Sequence, residues 1–282
     1  MRWIAERFEL LRLLGQGASG SVHAAHDHRD QRLVALKLLH SSPGDTAETA
    51  GDAEARLRAG AALASRLDHP DIVKVYDVGS DRGSPWLAME AVPGPDLTRY
   101  TLPQRLLPEP LVLQVGERLA LALAHAHGLG VIHRDLKPAN VLAHWPSQTL
   151  KIVDFGLARG QDVEATRTGL VLGTPGYMAP EQLAGAVPDE RSDFYALGVL
   201  MFQLLTGRLP FEAGNLGELL RRVANDPAPD LRSLRPQLPG ALAESLASLL
   251  QRQPGQRCHD AAALAAQWQA LRSTWPGGAK SR

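Results

Sequence analysis

The sequence predicts an α+β protein in two parts, a small antiparallel sheet carrying one main helix and then a larger, mainly helical part. Three observations carry this. From Phe8 to Leu39, apolar clusters are broken first by LGQGASG and then by the polar turn HDHRDQR before LVALKLL, which is how successive antiparallel strands read. Two more apolar runs, IVKVYDVG and PWLAMEAV, extend the same pattern. After Val92 the composition turns helical, with Leu and Ala at helical spacing from Leu111 to His127.

Taken in order, the meander from Phe8 is followed by a Ser, Pro, Gly, Asp and Thr cluster over Ser41 to Asp52, a loop, and then by an Ala- and Arg-rich helix to about Leu67. That helix precedes the two strands that complete the sheet. The change near Glu90 to Pro93 predicts a boundary, giving an N-terminal part over 1–91 and a C-terminal part over 92–282. PGPDL punctuates the entry to the second part. Short strands are expected around Val131, Val141 and Ile152, with helices thereafter.

Thirty basic residues balance thirty acidic ones, so bulk charge favours neither a nucleic-acid partner nor an anionic membrane. Any phosphate site must be local. The single cysteine, Cys258, excludes an internal disulfide and fits a reducing compartment. MRWIAERFEL lacks the basic-then-apolar order of a secretory signal. The best apolar stretch, Phe194 to Leu205, is interrupted by Gln203 and falls short of the ~20 residues a membrane span needs. The expectation is a cytoplasmic protein with no membrane span.

Four motifs carry chemistry. In GQGASGSV, Gly15, Gly17, Gly20 and Val22 sit between two predicted strands. Glycines there let backbone N–H groups approach phosphate oxygens, although a plain strand turn has the same residues. A dinucleotide site would need a helix next, and SVHAAHD reads as a strand. In VALK, strand alternation places Lys37 on the face of Ala35 and away from Leu36. Such a lysine is a solvated surface charge unless a phosphate lies within reach.

HRDLKPAN packs His133, Arg134, Asp135, Lys137 and Asn140 into eight residues. Phosphoryl transfer needs a carboxylate to orient a hydroxyl, a cation near the moving group and an oxygen ligand for Mg²⁺. Asp135, Lys137 and Asn140 supply one of each, where a polar surface turn would need none in particular. DFG, from Asp154, follows the strand LKIV, where its carboxylate is placed to hold a metal.

These strings in this order, together with GTPGYMAPEQ, resemble the eukaryotic-type (Hanks-type) serine/threonine protein kinases of bacteria, from about Phe8 to Leu271. The resemblance implies the bilobal protein-kinase-like fold and transfer of the γ-phosphoryl of ATP to Ser or Thr hydroxyls of protein substrates. It implies that Gly15, Gln16, Gly17, Ala18, Ser19, Gly20 and Val22 cover the phosphates and that Lys37 holds the α- and β-phosphates. Ala35, Val22 and Leu142 would sandwich the adenine, with Met89 as gatekeeper and the backbone of Glu90 and Val92 as hinge. Asp135 is the implied base, Lys137 the partner of the γ-phosphate, and Asn140 and Asp154 the ligands of Mg²⁺ or Mn²⁺. Lys137 and Thr174 favour serine/threonine over tyrosine specificity.

The resemblance also makes Arg134 the receiver of an activation-loop phosphate, with Thr166 and Thr168 as the autophosphorylated threonines. A partner protein or a phosphatase is the further partner expected. Glu181 with Arg257, and Asp193, match residues that shape the family's fold rather than its chemistry, and His133 reads as structural.

One departure stands out. Counting nine residues back from His69-Pro70, where the family carries the helix glutamate that pairs with the strand lysine, lands on Gly60. Glu54 is six residues earlier, about 9 Å along a helix and about 120° around it. Either the helix shifts so that Glu54 or Glu48 reaches Lys37, or Lys37 is positioned by Asp154 and the nucleotide alone. The expectation is reduced or conditional activity. Two competing readings remain: a pseudokinase scaffold, resting on Gly60, and a small-molecule kinase of the aminoglycoside type, which would lack GTPGYMAPEQ.

Overall fold

The computed structural model describes residues 2–17, 20–39, 47–155 and 175–275, with the backbone alone over 47–54 and at 56. Six strands, β1 (Arg2–Ile4), β2 (Phe8–Gly17), β3 (Gly20–Asp27), β4 (Arg32–Leu39), β5 (Val75–Asp81) and β6 (Ser84–Glu90), form one antiparallel sheet in the order β1-β2-β3-β4-β6-β5. Helix α1 (Ala47–Ala64) lies between β4 and β5 in sequence and packs against β5 and β6. β1 was not expected. Its three residues are too few to show a period and form a strand by pairing Trp3 with Glu9 and Ile4 with Phe8.

Alternation along β4 separates two apolar layers. Val34 and Leu36 join Phe8, Ala25 and Trp86 on one face of the sheet. Ala35 joins Ala61, Val73, Leu87 and Met89 on the other, with Val22, Val92 and Val153 packed against them. The second layer holds residues of the expected adenine site.

The C-terminal part is built on α2 (Glu109–Gly128), followed by a two-stranded ribbon, β7 (Val141–His144) and β8 (Thr149–Ile152). Beyond it come α3 (Pro180–Leu183), α4 (Glu190–Thr206), α5 (Leu216–Asn225), α6 (Leu231–Leu234), α7 (Gly240–Leu249) and α8 (Ala261–Ser273). α4 is apolar on nearly all sides because it runs through the middle of this core, touching α2 and α7. None of the helices among the described residues is long and apolar enough to cross a membrane.

The sequence expectation fails at two boundaries. No strand forms at Val131, because the backbone N–H groups of His133 and Arg134 are taken by the Asp193 carboxylate, at 2.8 Å each, instead of by a neighbouring strand. And α1 begins at Ala47, inside the stretch expected to be loop, where AETA is itself a good helix former.

Candidate active site

The glycine motif bridges β2 and β3, with Gly15 opposite Val22 and Gly17 opposite Gly20. Its glycines are there for different reasons. Gly20 has φ +154°, and a Cβ there would lie 2.1 Å from the Leu38 carbonyl oxygen, so the fold itself demands it. A Cβ on Gly15 or Gly17 would meet nothing within 4 Å. The protein's own packing does not require bare backbone at those two exposed positions, whereas a ligand whose oxygens take backbone N–H bonds does. Ala18 and Ser19 lie outside the described residues.

Lys37 is buried at 8% exposure, and its Nζ lies 2.8 Å from Asp154 Oδ2. This pair joins the sheet to the C-terminal part. Gly60 lies on α1 with the buried Leu57, Ala61 and Ala64, on the face turned to the sheet, and offers no carboxylate there. The side chains of Glu48 and Glu54 lie outside the described residues. Of the two arrangements open to Lys37, pairing with Asp154 is the one on view. Asp154 has φ +65°, a left-handed backbone that Asp tolerates better than most residues and that turns its carboxylate toward the sheet.

The catalytic-loop candidates converge within a few ångströms. Lys137 Nζ lies 2.7 Å from Asp135 Oδ2, and Asn140 Nδ2 donates to Asp135 O at 2.7 Å and to Asp135 Oδ2 at 3.1 Å. With its nitrogen engaged on Asp135, the Asn140 amide turns its oxygen away. Asn140 O accepts from Val153 N at 2.9 Å, which ties this loop to the residue preceding Asp154. Oxygen ligands from an amide and a carboxylate are what Mg²⁺ prefers, so Asn140 and Asp154 fit that ion.

His133 is fully buried. Its Nδ1 accepts from Asp135 N at 3.3 Å and its Nε2 lies 2.9 Å from Val153 O. A carbonyl can only accept, so the ring proton sits on Nε2 and both nitrogens are used up in holding the loop. The same ring stands edge-on to buried Phe155 at 4.6 Å. Arg134 has φ +72° and donates its backbone N–H to Asp193. Thr166, Thr168 and Thr174, with Gly156, lie outside the described residues.

Two residues that support this loop escaped the sequence reading. His127, in the last turn of α2, lies with Nε2 2.8 Å from Asp193 Oδ2, giving the carboxylate a third partner. Gln182 accepts from Ala179 N at 2.9 Å and donates to Arg134 O at 3.0 Å. Neither carries a local signal, since their partners are 66 and 48 positions away. Val22, Ala35, Met89 and Val92 lie in one apolar layer, while Leu142 is half-buried on β7.

Glu181 and Arg257 form a two-pronged pair at 2.6 and 2.7 Å, with the Arg257 guanidinium lying against the Tyr195 ring. Arg257 also donates to the carbonyls of Gln251, Arg252 and Arg191, so a fully buried cation is saturated with acceptors. Burial works against the Glu181 charge, but the Arg257 hydrogen bonds and charge, with Ser192 Oγ, outweigh it and hold the carboxyl below its ordinary range.

The family model described as protein kinase domain matches residues 8–269. The chain is 38% identical over 99% of its length to the DNA damage-responsive serine/threonine-protein kinase RqkA of Deinococcus radiodurans, covering 42% of that protein. It is 37% identical over 92% of its length to the serine/threonine-protein kinase PknD of Mycobacterium tuberculosis, covering 38% of it. The chain thus spans less than half the length of these two curated relatives. Among solved structures, a cysteine-to-alanine mutant of the PknI kinase domain of Mycobacterium tuberculosis matches with a TM-score of 0.74 at 30% identity, over 96% of this chain and 97% of that one. A sheet part with the glycine motif and Lys37, a helical part with the Asp135 loop, and matches over nearly the whole length agree: the chain belongs to the protein kinase domain family.

Proposed function

We propose that the chain is an ATP-dependent protein serine/threonine kinase, with lobes at 1–91 and 92–282 and Asp135 as catalytic base. One observation carries the reading: Lys37, Asp135, Lys137, Asn140 and Asp154, drawn from both parts of the chain, are linked through contacts of 2.7 to 3.1 Å. The names of the relatives support Ser and Thr as the acceptor class. Every polar group that the chemistry needs is present, so the scaffold reading has only Gly60 behind it.

In this proposal Gly15 to Val22 cover the phosphates, and Val22, Ala35 and Leu142 enclose the adenine, with Met89 behind it and the Glu90 and Val92 backbone at its edge. Asp135 Oδ2 is committed to Lys137 and Asn140, so Oδ1 is the oxygen that orients the acceptor hydroxyl and takes its proton. Lys137 faces the transferred phosphoryl, and Lys37 leaves Asp154 for the α- and β-phosphates. Mg²⁺ or Mn²⁺ held by Asn140 and Asp154 would neutralise charge on the phosphate oxygens. Phosphate on Thr166 or Thr168, drawn to Arg134, is the proposed regulation, open to a partner protein or a phosphatase. Use of ATP and a lone thiol support a cytoplasmic setting.

The test is transfer of labelled phosphate from ATP and Mg²⁺ to the protein itself and to a general Ser/Thr acceptor. Asp135→Asn is expected to lower the turnover by roughly 10² to 10⁴. Absence of any Asp135-dependent transfer would leave the scaffold.

A further inference from the structure

Lys151 was given no role by the motifs, yet it occupies the junction of the two lobes. It lies on β8 directly opposite Leu142 on β7. Residues directly opposed in an antiparallel ladder project from the same face, so Lys151 points to the side of the ribbon that Leu142 presents to the adenine site. Its side chain is only 11% exposed, and its Nζ lies 2.9 Å from the Glu90 carboxylate and 3.3 Å from Ile72 O.

Glu90 is the last residue of β6, where the sheet hands the chain to the C-terminal lobe. Its own attachments are to the sheet side: its N–H donates to Lys74 O at 2.8 Å, and its Oε2 accepts from Lys74 N at 3.2 Å. The chain on either side of Ile72 is bonded in turn to β8, with Val73 N to Ile152 O at 2.9 Å and Ile152 N to Asp71 O at 2.8 Å. Lys151 therefore gathers the crossing point, the 71–74 segment and the hinge residue onto one ammonium.

We infer that Lys151 is a positioning residue for nucleotide binding: through Glu90 it locks the hinge backbone in register with the β7–β8 floor of the site. This rests on the kinase reading for the identity of the nucleotide. The backbone of Glu90 and Val92 must meet the adenine edge while Leu142 meets its face, and the first surface lies at the crossing between the lobes while the second lies on the β7–β8 ribbon. A hinge that is already fixed spares the nucleotide the cost of ordering it. Removal of the ammonium leaves Glu90 bonded to Lys74 and the 71–73 backbone bonded to β8, so what is lost is the direct tie from β8 to the hinge side chain and not the end of β6.

The experiment compares Lys151→Met, Lys151→Arg, Glu90→Gln and the double variant Lys151→Met/Glu90→Gln. It measures ADP affinity by calorimetry in Mg²⁺, and KM for ATP and kcat separately. Lys151→Met is expected to weaken ADP and raise KM for ATP by about tenfold, with kcat within about twofold of wild type, a loss typical of one charged hydrogen bond. Lys151→Arg should restore most of the affinity. The double variant should bind no more weakly than Lys151→Met, because both changes break one contact. ADP affinity within about twofold of wild type for Lys151→Met, or losses that multiply in the double variant, would overturn the inference. Should Lys151→Met not fold, the near-isosteric Glu90→Gln applies the same criterion. Because ADP affinity is read at equilibrium, failure of phosphate transfer would sink the kinase reading and leave the Lys151 result standing.

Discussion

At the scale of single residues, the glycine motif separates into two kinds of position that one string of letters cannot distinguish. Gly20 is held by the fold, with a would-be Cβ 2.1 Å from Leu38 O, whereas Gly15 and Gly17 face open space. Gly20→Ala is therefore expected to cost about 1–3 kcal/mol of stability. Gly15→Ala and Gly17→Ala should stay within about 0.5 kcal/mol of wild type in urea unfolding while weakening ATP binding. Equal stability losses at all three would mean that the loop glycines serve the fold alone. What the sequence could show here was residue type and spacing: Asp135, Lys137 and Asn140 are local, so one loop conformation brings them together. The partner of Lys37 was legible only as one of two alternatives, because Asp154 is 117 positions away and nothing near Lys37 chooses it over a glutamate of α1. Gly60 could be read as a missing carboxylate but not as the reason for any particular substitute.

At the scale of elements, the catalytic loop is shaped from below by α4. Asp193 sits in the first turn of that helix at 1% exposure, where the helix dipole favours a negative charge. Its two oxygens take the N–H groups of His133 and Arg134 and meet His127 Nε2. Asp193→Ala would strand two backbone donors in the core, at about 1–3 kcal/mol each. The expected outcome is a fall in unfolding free energy of about 3 kcal/mol or more, with turnover lost faster than ATP affinity, since the base is displaced and the glycine loop is not. Unchanged turnover in the folded variant would show that the loop holds its shape unaided. The strand expected at Val131 failed for the same reason: apolar residues at Val131 and Ile132 read as a strand, and the acceptor that decides otherwise is a carboxylate about sixty residues on. Long amphipathic elements such as α2 were legible because their period lies within the element itself. The three-residue β1 was not, since pairing with β2 is its whole warrant.

At the scale of the whole molecule, the order of strands and the change to helices was legible because most of each part's apolar residues pack within that part, although the helical core around α4 also takes in Ala64, Leu67 and Ile72. What fastens α3 to the far end of the chain could be suspected only through resemblance, and it is an ion pair spanning 76 positions. Glu181 and Arg257 fasten α3 to the stretch between α7 and α8, with Arg257 fully buried. Removing one member of such a pair leaves an uncompensated buried charge, so Arg257→Met is expected to cost about 3–5 kcal/mol. The pH dependence follows from the Glu181 carboxyl, whose pKa lies lower folded than unfolded. Its contribution is complete above the unfolded carboxyl's pKa and is lost as the pH falls through the folded one. Wild type should therefore lose stability on acidification below about pH 4.5, the ordinary range of a Glu carboxyl. In Arg257→Met the attraction that holds the folded pKa down is gone while burial still opposes the charge, so acid should destabilise that variant less. Urea midpoints measured from pH 7 down to pH 3 decide the matter: parallel curves for the two proteins would show that the Glu181–Arg257 pair does not govern the acid limit of the fold.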